Sequence, residues 1–387
     1  MWVAAIDGLA RRSTRAGSDF SKGSSEMRRC VGSTIASAAL LTPHLLVSNH
    51  RAKAARRRWV SAVLVLSLSA VVSPLVFASP AGAAATSYLA TKLPPVLYTA
   101  IDGHTETLTP WQGRHVSVLV EPVTTRDPTV MTKLVTALDR AWGYYAATTG
   151  RLPSTGHSLN GRDEVAEVTS TCGAGCTYLG ATGTEMLTSY FESMYQQIAQ
   201  NNLYDQIPFY ELGRSFWFWS PQLQFQSPDQ DPVVTGFAVW MRFRSMTAAG
   251  VQGAPYNGTP FSTFASQVKA LSSEYEADLS LTFANTLAVA KSPGLYGGTD
   301  FWASLMMQLA RRHGGQTFVA RFWHHVGSLP AASSTTQAVT NWVNAVNYAA
   351  CTDLSSVFYA RWGFPRPDGT TTQRPLASTV PEPKGHC

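Results

Sequence analysis

Three polar side chains within one helical turn give this chain its clearest chemical signature. Tyr210, Glu211 and Arg214 lie in the segment YELGR, where the zinc-binding pattern H-E-x-x-H has a histidine, a glutamate and a second histidine. Glu211 stands in the place of the general base of that pattern. Zinc takes imidazole, thiolate or carboxylate ligands, whereas a guanidinium stays protonated and has no lone pair to offer. The segment therefore predicts a helix with the spacing of a metal site but without its metal ligands.

The same helix has a structural and a functional interpretation. Glu211 and Arg214 are three residues apart, which suits an ion pair along one helical face. Alternatively, these two side chains and Tyr210 bind a polar ligand such as a peptide carboxylate or sugar hydroxyls, because guanidinium groups hold carboxylates with two hydrogen bonds. Trp217 follows in the aromatic run 216–219, whose rings either enter the core or line the site and stack on a sugar.

Other metal-ligating residue types lack the spacing of a metal site. His324 and His325 are adjacent and would point in different directions on a helix, and His313 precedes a glycine at a predicted helix end. Asp229 and Asp231 begin a calcium-loop pattern whose later ligands and glycine are missing. The chain also contains neither a G-x-S-x-G nor a P-loop sequence. We therefore expect no metal or other cofactor. Zinc would be needed only if the protein were an active metallohydrolase.

Four of the five cysteines lie beyond residue 85, and an even number is typical of disulfides in an exported protein. Four cysteines allow three pairings. The short spacing of Cys172 and Cys176 favours a local bridge, which leaves Cys351 to pair with Cys387 and fasten the C-terminal tail. The rival interpretation of Cys172 and Cys176 as metal ligands lacks His or Cys partners nearby.

Residues 1–85 form a leader that is first basic and then apolar. A basic stretch over 1–58 precedes an apolar run and small residues within 59–85, the order of a cleaved export signal, although an uncleaved membrane anchor is the alternative. The leader holds 11 of the 30 Lys and Arg residues but only 3 of the 24 Asp and Glu residues. The rest of the chain, with 19 basic and 21 acidic side chains, is nearly neutral, which argues against a nucleic-acid partner.

Beyond the leader, the pattern changes from mixed α/β to mainly helical near residue 232. Periodicity predicts a strand at 115–121, a helix over 130–149, one or two strands within 165–179, and helices at 184–201 and from Pro208. After a loop at 220–232, helices are predicted at 233–248, 261–289, 299–327, 334–350 and 353–361. We therefore expect an α+β fold with an α/β subdomain at 86–232, a helical subdomain at 233–366, a cleft between them, and an extended tail at 367–387 held only by Cys387.

Several segments, taken in order, resemble the gluzincin-type zinc metallopeptidases, closest to their enhancin-like, mucin-degrading branch. The matching segments are residues 149–153, 173–180, the helix around Glu211, 300–315, 341–343, 353–354 and 358–365. The resemblance covers most of residues 110–366 and implies a zincin-like fold in which Glu211 is the general base. It also implies zinc ligands at Tyr210 and Arg214, and a third, a glutamate, on the next helix. Residues 236–244 of that helix contain neither a carboxylate nor a histidine.

The loss of all three expected ligands predicts binding in place of hydrolysis, since a glutamate without zinc has no activated water to use. We expect an exported, zincin-like pseudoenzyme that binds an extracellular peptide or glycan near Tyr210, Glu211, Arg214 and Trp217. One alternative is an active secreted metallohydrolase that uses Glu211 and a rearranged zinc site. The histidines that could supply its ligands are His313, His324 and His325. A second alternative is a structural cell-envelope protein with a filled cleft. Membrane contact is expected only through an uncleaved leader.

Overall fold

The computed structural model describes residues 89–122, 125–374 and 383. The predicted leader at 1–58, the predicted signal segment at 59–85 and Cys387 lie outside these residues. Within the described part of the chain, no helix is both long enough and apolar enough to cross a membrane.

The described elements follow the expected change from mixed to helical structure, so the fold is α+β. The strands are β1 Thr91–Lys92, β2 Val96–Thr99, β3 Thr105–Gln112, β4 Val116–Val120, β5 Ser158–Leu159, β6 Arg162–Val168, β7 Gly175–Thr177, β8 Thr184–Leu187, β9 Leu203–Tyr204 and β10 Gln252–Gly253. The α-helices are α1 Pro128–Thr149, α2 Thr188–Asn201, α3 Ile207–Arg214, α4 Ser220–Leu223, α5 Val233–Ala249, α6 Phe261–Ala277, α7 Gly298–Arg312, α8 Gln316–Val326 and α9 Thr335–Ala350. A 3₁₀ turn, Leu287–Val289, and a π-helix, Val357–Arg361, complete the list.

A mixed sheet forms the first half of the chain, with the strand order β1-β3-β4-β6-β8-β7. The central strands β4, β6 and β8 are parallel, and Val118 lies opposite Val165 in their register. The flanking strands β3 and β7 run antiparallel to their neighbours β4 and β8. Helix α1 connects two parallel strands, as a crossover between such strands requires. It starts at the sequence signal Asp127-Pro128, where the Asp127 carboxylate accepts from the Thr129 and Val130 amides.

Several predicted elements differ from the observed ones. The loop expected over 220–232 begins with the short helix α4, and the helix expected over 353–361 is the π-helix Val357–Arg361. The helix expected from residue 184 begins as strand β8, because Thr184–Leu187 pairs with β6 and with β7, and only then continues as α2. The helix expected over 261–289 ends at Ala277. The helix expected over 299–327 is interrupted at Gly314 and Gly315, whose φ angles of 106° and 59° are left-handed and favour glycine. Each of these differences depends on pairing or local backbone geometry that apolar spacing does not encode.

One hydrophobic core extends through both halves of the chain. Its buried residues run from Ala90 and Trp111 in the sheet half to Phe358 and Phe364 at the C-terminal end of the helical half. Helix α5 packs against α1, α3 and α7. The chain therefore changes from mixed to helical structure at α3 and α5, and both helices contribute to this core. The finer expectation of two zincin-like subdomains with a cleft between them remains a prediction.

The beginning of the tail is fixed by a buried arginine. Arg374 is 6% exposed, and its guanidinium donates to the carbonyl oxygens of Tyr275, Asp278 and Leu281. The same group lies 3.9 Å from the centroid of the Tyr275 ring. The prediction that Cys387 alone holds the tail is therefore wrong for residues 367–374. An arginine can do this because its five N–H donors reach several carbonyl groups at once.

Candidate functional site

Helix α3, which carries the YELGR segment, lies in the interior between strand β7 and helix α5. All eight of its residues are buried, and Pro208 stands in its first turn, where a proline costs no hydrogen bond. Gly213 allows close approach to α1, since a Cβ at this position would lie 2.7 Å from the Tyr145 hydroxyl oxygen. That hydroxyl donates to the Phe209 carbonyl over 2.7 Å. The short helix is thus held by tertiary contacts on every side.

Glu211 is 3% exposed and lies against the edge strand β7. Gly175 of that strand makes room for it, because a Cβ there would lie 2.9 Å from Glu211 Cγ. Its ion-pair partner is Arg214, whose Nε is 3.6 Å from Glu211 Oε2. Burial raises the pKa of Glu211, and the charge of Arg214 and a hydrogen bond from Thr177 oppose that rise. The ion pair that the sequence offered as the structural interpretation is therefore present and buried.

Tyr210 lies between two guanidinium groups. The Arg214 guanidinium carbon is 5.9 Å from the centroid of the Tyr210 ring, and that of Arg242 is 5.7 Å from it. Arg214 also donates from Nη1 to the Tyr210 hydroxyl over 3.3 Å. Burial raises the pKa of Tyr210, so the phenol stays neutral at ordinary pH. Tyr210 and Arg214 thus occupy the expected ligand positions of the metal motif as a hydrogen-bonded pair.

A cavity of about 110 Å³ opens beside Glu211, and most of the side chains that line it are polar. Its lining comes from the β7 region, α3, α5 and the start of α7, together with Tyr256. The residues concerned are Ala174, Gly175, Gln206, Ile207, Tyr210, Glu211, Thr235, Val239, Arg242, Tyr256, Thr299 and Asp300. Segments far apart in the sequence therefore meet around Glu211.

Arg242 supplies the cation of this cavity. Its Nη2 is 3.6 Å from Asp300 Oδ1, its Nη1 donates to the Gln206 amide oxygen, and no described residue accepts from its Nε. Burial lowers the pKa of Arg242 and raises that of Asp300, which are the directions expected for charges removed from water. The cavity consequently offers carboxylate, guanidinium, amide and phenol groups within a small volume. It can hold a compact polar group through hydrogen bonds to both donors and acceptors.

Sequence reasoning missed Arg242, Asp300 and Gln206. Arg242 lies on the helix where the resemblance implies a third zinc ligand, and an arginine is not a residue type that binds zinc. A signal was present, since Arg242 interrupts a run of apolar and aromatic residues in which a charge needs a buried partner. Asp300 gave a weaker signal as an acidic residue in the first turn of α7, a position that the helix dipole favours.

Two of the predicted ligand-binding residues do not line the cavity. Arg214 is buried behind Tyr210 and Glu211, so its contribution to a ligand would be indirect. Trp217 is 2% exposed and packs with Trp219, Phe237 and Trp323, while its Nε1 donates to Ser220 over 2.7 Å. The expectation that Trp217 lines the site is thus corrected in favour of the core. The reason is that the chain after α3 turns into the helical half, where these rings find apolar partners.

The histidines proposed for a rearranged zinc site do not lie at the cavity. His313 is buried near Phe318, with 6.4 Å between ring centroids, and His325 stacks on Tyr348 at 4.0 Å. His324 packs against Gly150 at the end of α1. Across the described ranges, no group of three or more His, Cys, Asp or Glu side chains is arranged to hold a metal ion.

The remaining candidate residues have structural positions. Cys172 and Cys176 are bonded through their sulfur atoms, in line with the expected local bridge. The pairing of Cys351 with Cys387 includes a residue outside the described part of the chain. Asp231 accepts from the backbone amides of Phe225 and Val233, which fixes the loop before α5. Burial raises the pKa of Asp231 to about 6.

The chain is similar to known proteins in part of its structure only. No family model matches the chain, and no curated protein matches it. Two solved structures of a functionally unknown conserved protein from Bacillus anthracis str. Ames, one of them a mutant, are similar in part, with TM-scores of 0.41 and 0.42 and 11% sequence identity. Each comparison covers 65% of this chain and 48% of the other. This chain thus spans about half the length of those proteins.

Proposed function

We propose that this chain is an exported, zincin-like protein that binds an extracellular peptide at the Glu211 cavity without hydrolysing it. The observation that carries the proposal is the position of Arg242. It lines the cavity beside Glu211, on the helix where the gluzincin resemblance places the third zinc ligand. A guanidinium in that position is a fixed positive charge, which can bind an anionic group of a ligand.

The proposal that hydrolysis is absent rests on the chemistry of the residues at the two motif positions and on the next helix. Tyr210 is a buried neutral phenol, and Arg214 and Arg242 are guanidinium groups that have no lone pair for a metal. Their positive charges also oppose the approach of a divalent cation. Glu211 would therefore act as an acceptor of hydrogen bonds from a ligand, since it would have no zinc-bound water to deprotonate.

A peptide fits the cavity better than a glycan. Trp217 and its neighbours Phe216 and Trp219, the rings that the sequence offered for stacking on a sugar, are in the core, and the aromatic side chains that line the cavity are those of Tyr210 and Tyr256. The cavity instead offers Arg242 to a carboxylate, and Glu211 to an ammonium or amide group. A volume of about 110 Å³ accommodates a single small group, such as a chain terminus or a short polar side chain. The remainder of the peptide would lie outside the cavity.

The test is a peptide-library capture with the exported protein, followed by calorimetry on the captured sequences. We expect wild type to enrich peptides that share one polar group, and Glu211→Gln and Arg242→Gln to weaken their binding at least about tenfold, as expected for lost charge-assisted hydrogen bonds. Arg140→Gln is the matched control, because this arginine contacts the Ala249 carbonyl and lies away from the cavity. Thermal unfolding of each variant separates loss of binding from loss of fold.

The two alternatives have their own outcomes in the same experiment. One tightly held zinc per chain in elemental analysis, together with peptide cleavage that a chelator abolishes, would overturn the binding proposal in favour of a metallohydrolase. Peptide enrichment equal in wild type, Glu211→Gln and Arg242→Gln would also refute it, because the cavity would then play no part. Absence of any enrichment would favour the structural envelope role.

A further inference from the structure

Helix α5 has a second concave surface on the side away from Glu211. Thr235, Val239 and Arg242 face the Glu211 cavity, whereas Trp240 and Phe243 contribute to a groove of about 700 Å³. This division follows from the helical period, because residues one apart lie on different faces. Helices α1, α6 and α7 and the turn before α8 provide the remaining walls. The groove is thus separated from the candidate site by the body of α5.

The floor of this groove is apolar. Phe243 and Met307 contribute it, together with alanines from α1, α5 and α6, and the fully buried Trp240 lies beneath them. Its volume lies within the range of roughly 300–1,000 Å³ that is usual for small-molecule sites. Apolar surface of this extent gains free energy when an aliphatic or aromatic ligand removes it from water.

The rim of the same groove is basic. Arg244, Lys269 and Arg311 line it, and no Asp or Glu occurs among its lining residues. In the described chain none of these three side chains has a carboxylate within ion-pair distance. Three positive charges beside an apolar floor therefore lack a countercharge from the protein, which a bound anion would supply.

One of the three cations is held in position by neutral groups. Arg244 donates from Nε to the Tyr144 hydroxyl over 2.9 Å and from Nη2 to the Gln316 amide oxygen over 2.7 Å. Gln316 is in turn fixed by its donation to Thr148 over 3.0 Å. No described residue accepts from Nη1 of Arg244, so this atom is available to a ligand. A preorganised cation of this kind loses little side-chain entropy when it binds an anion.

We propose that this groove binds an anionic amphiphile, namely an aliphatic chain with one carboxylate or phosphate head. The chain lies on Phe243 and Met307, and the head lies at the rim between Arg244, Lys269 and Arg311. The proposal is independent of the peptide function, because the two sites share no lining residue.

Binding of three ten-carbon probes to the exported full chain, below their micellar concentrations, tests the proposal by equilibrium dialysis. We expect one decanoate or decyl phosphate per chain, and decanol bound at least about tenfold more weakly, since three cations each contribute up to about 1 kcal/mol at partly exposed sites. The ratio of decanoate to decyl phosphate affinity distinguishes a carboxylate ligand from a phosphate one.

Variants decide between a specific groove and general hydrophobic adsorption. Lys269→Gln and Arg311→Gln should each weaken decanoate binding about twofold to fivefold. Their controls Lys291→Gln and Arg312→Gln, which do not line the groove, should leave it unchanged. Ala265→Phe fills the groove without altering charge and should abolish binding. Equal affinity for decanol and decanoate, or unchanged decanoate binding in both rim variants, would overturn the proposal even if Ala265→Phe failed to fold.

Discussion

The buried Glu211–Arg214 pair allows a sharp test of how α3 is stabilised. We consider Arg214→Met, which keeps an unbranched apolar stem but removes the charged guanidinium group. The two groups are 3.6 Å apart, and their side chains are 5% and 2% exposed. At an effective dielectric constant of about 20, two unit charges at this distance attract each other by about 5 kcal/mol. Removing one partner of a buried pair typically costs about 3–5 kcal/mol, because the other charge stays buried.

The pH dependence of this cost has a definite sign. Burial raises the pKa of Glu211 in the folded state above its ordinary value, and Arg214 opposes that rise. A carboxyl group with a raised folded-state pKa favours folding below its unfolded-state pKa, and this contribution is lost as the pH rises through the folded-state value. Without Arg214 the folded-state pKa of Glu211 rises further. The destabilisation by Arg214→Met should therefore be small near pH 5 and reach about 3–5 kcal/mol near pH 8.

Urea denaturation of wild type, Arg214→Met, Glu211→Gln and the double variant at both pH values gives the coupling free energy directly. We expect the double variant to recover at least about 2 kcal/mol of the loss in Arg214→Met at pH 8, since the buried charge is gone. A loss below about 1 kcal/mol in Arg214→Met at pH 8, or the same loss at both pH values, would refute a buried ionised pair.

Three further expectations concern other buried positions. Arg374→Gln should lower the free energy of unfolding by about 2–4 kcal/mol in chemical denaturation, because three carbonyl groups lose a charged donor. Gly213→Ala should cost about 1–3 kcal/mol by the same measurement, since the new Cβ lies 2.7 Å from the Tyr145 hydroxyl, whereas Gly143→Ala, with no atom within 4 Å, should cost nothing. Burial raises the pKa of Asp163 to about 7 in the folded state. The protonated carboxyl group therefore favours folding at low pH, and this contribution to the free energy of unfolding is lost as the pH rises towards 7. Between pH 5 and pH 8 the free energy of unfolding of Asp163→Asn should consequently rise by about 1–3 kcal/mol relative to that of wild type.

The local features of the fold could be predicted from the sequence because each depends on neighbours in the chain. The start of α1 at Asp127-Pro128, the end of that helix before Gly150 and the bridge between Cys172 and Cys176 are of this kind. The helix around Glu211 was also predicted from its proline and its residue spacing. Capping, helical periodicity and short loops depend on residues that are close together in the chain, so they can be predicted from the sequence.

The contents of the candidate site required the tertiary structure. Arg242 and Asp300 reach the Glu211 cavity from helices that are remote in sequence, and their pairing depends on how α5 packs against α3 and α7. The same packing buries Trp217, for which the sequence left both the core and a place at the ligand open. By itself the sequence determined that Glu211 stands on a helix without zinc ligands at the motif positions. Only the packing of distant helices decided which charge accompanies Glu211 there, because burial and contact are properties of the assembled core.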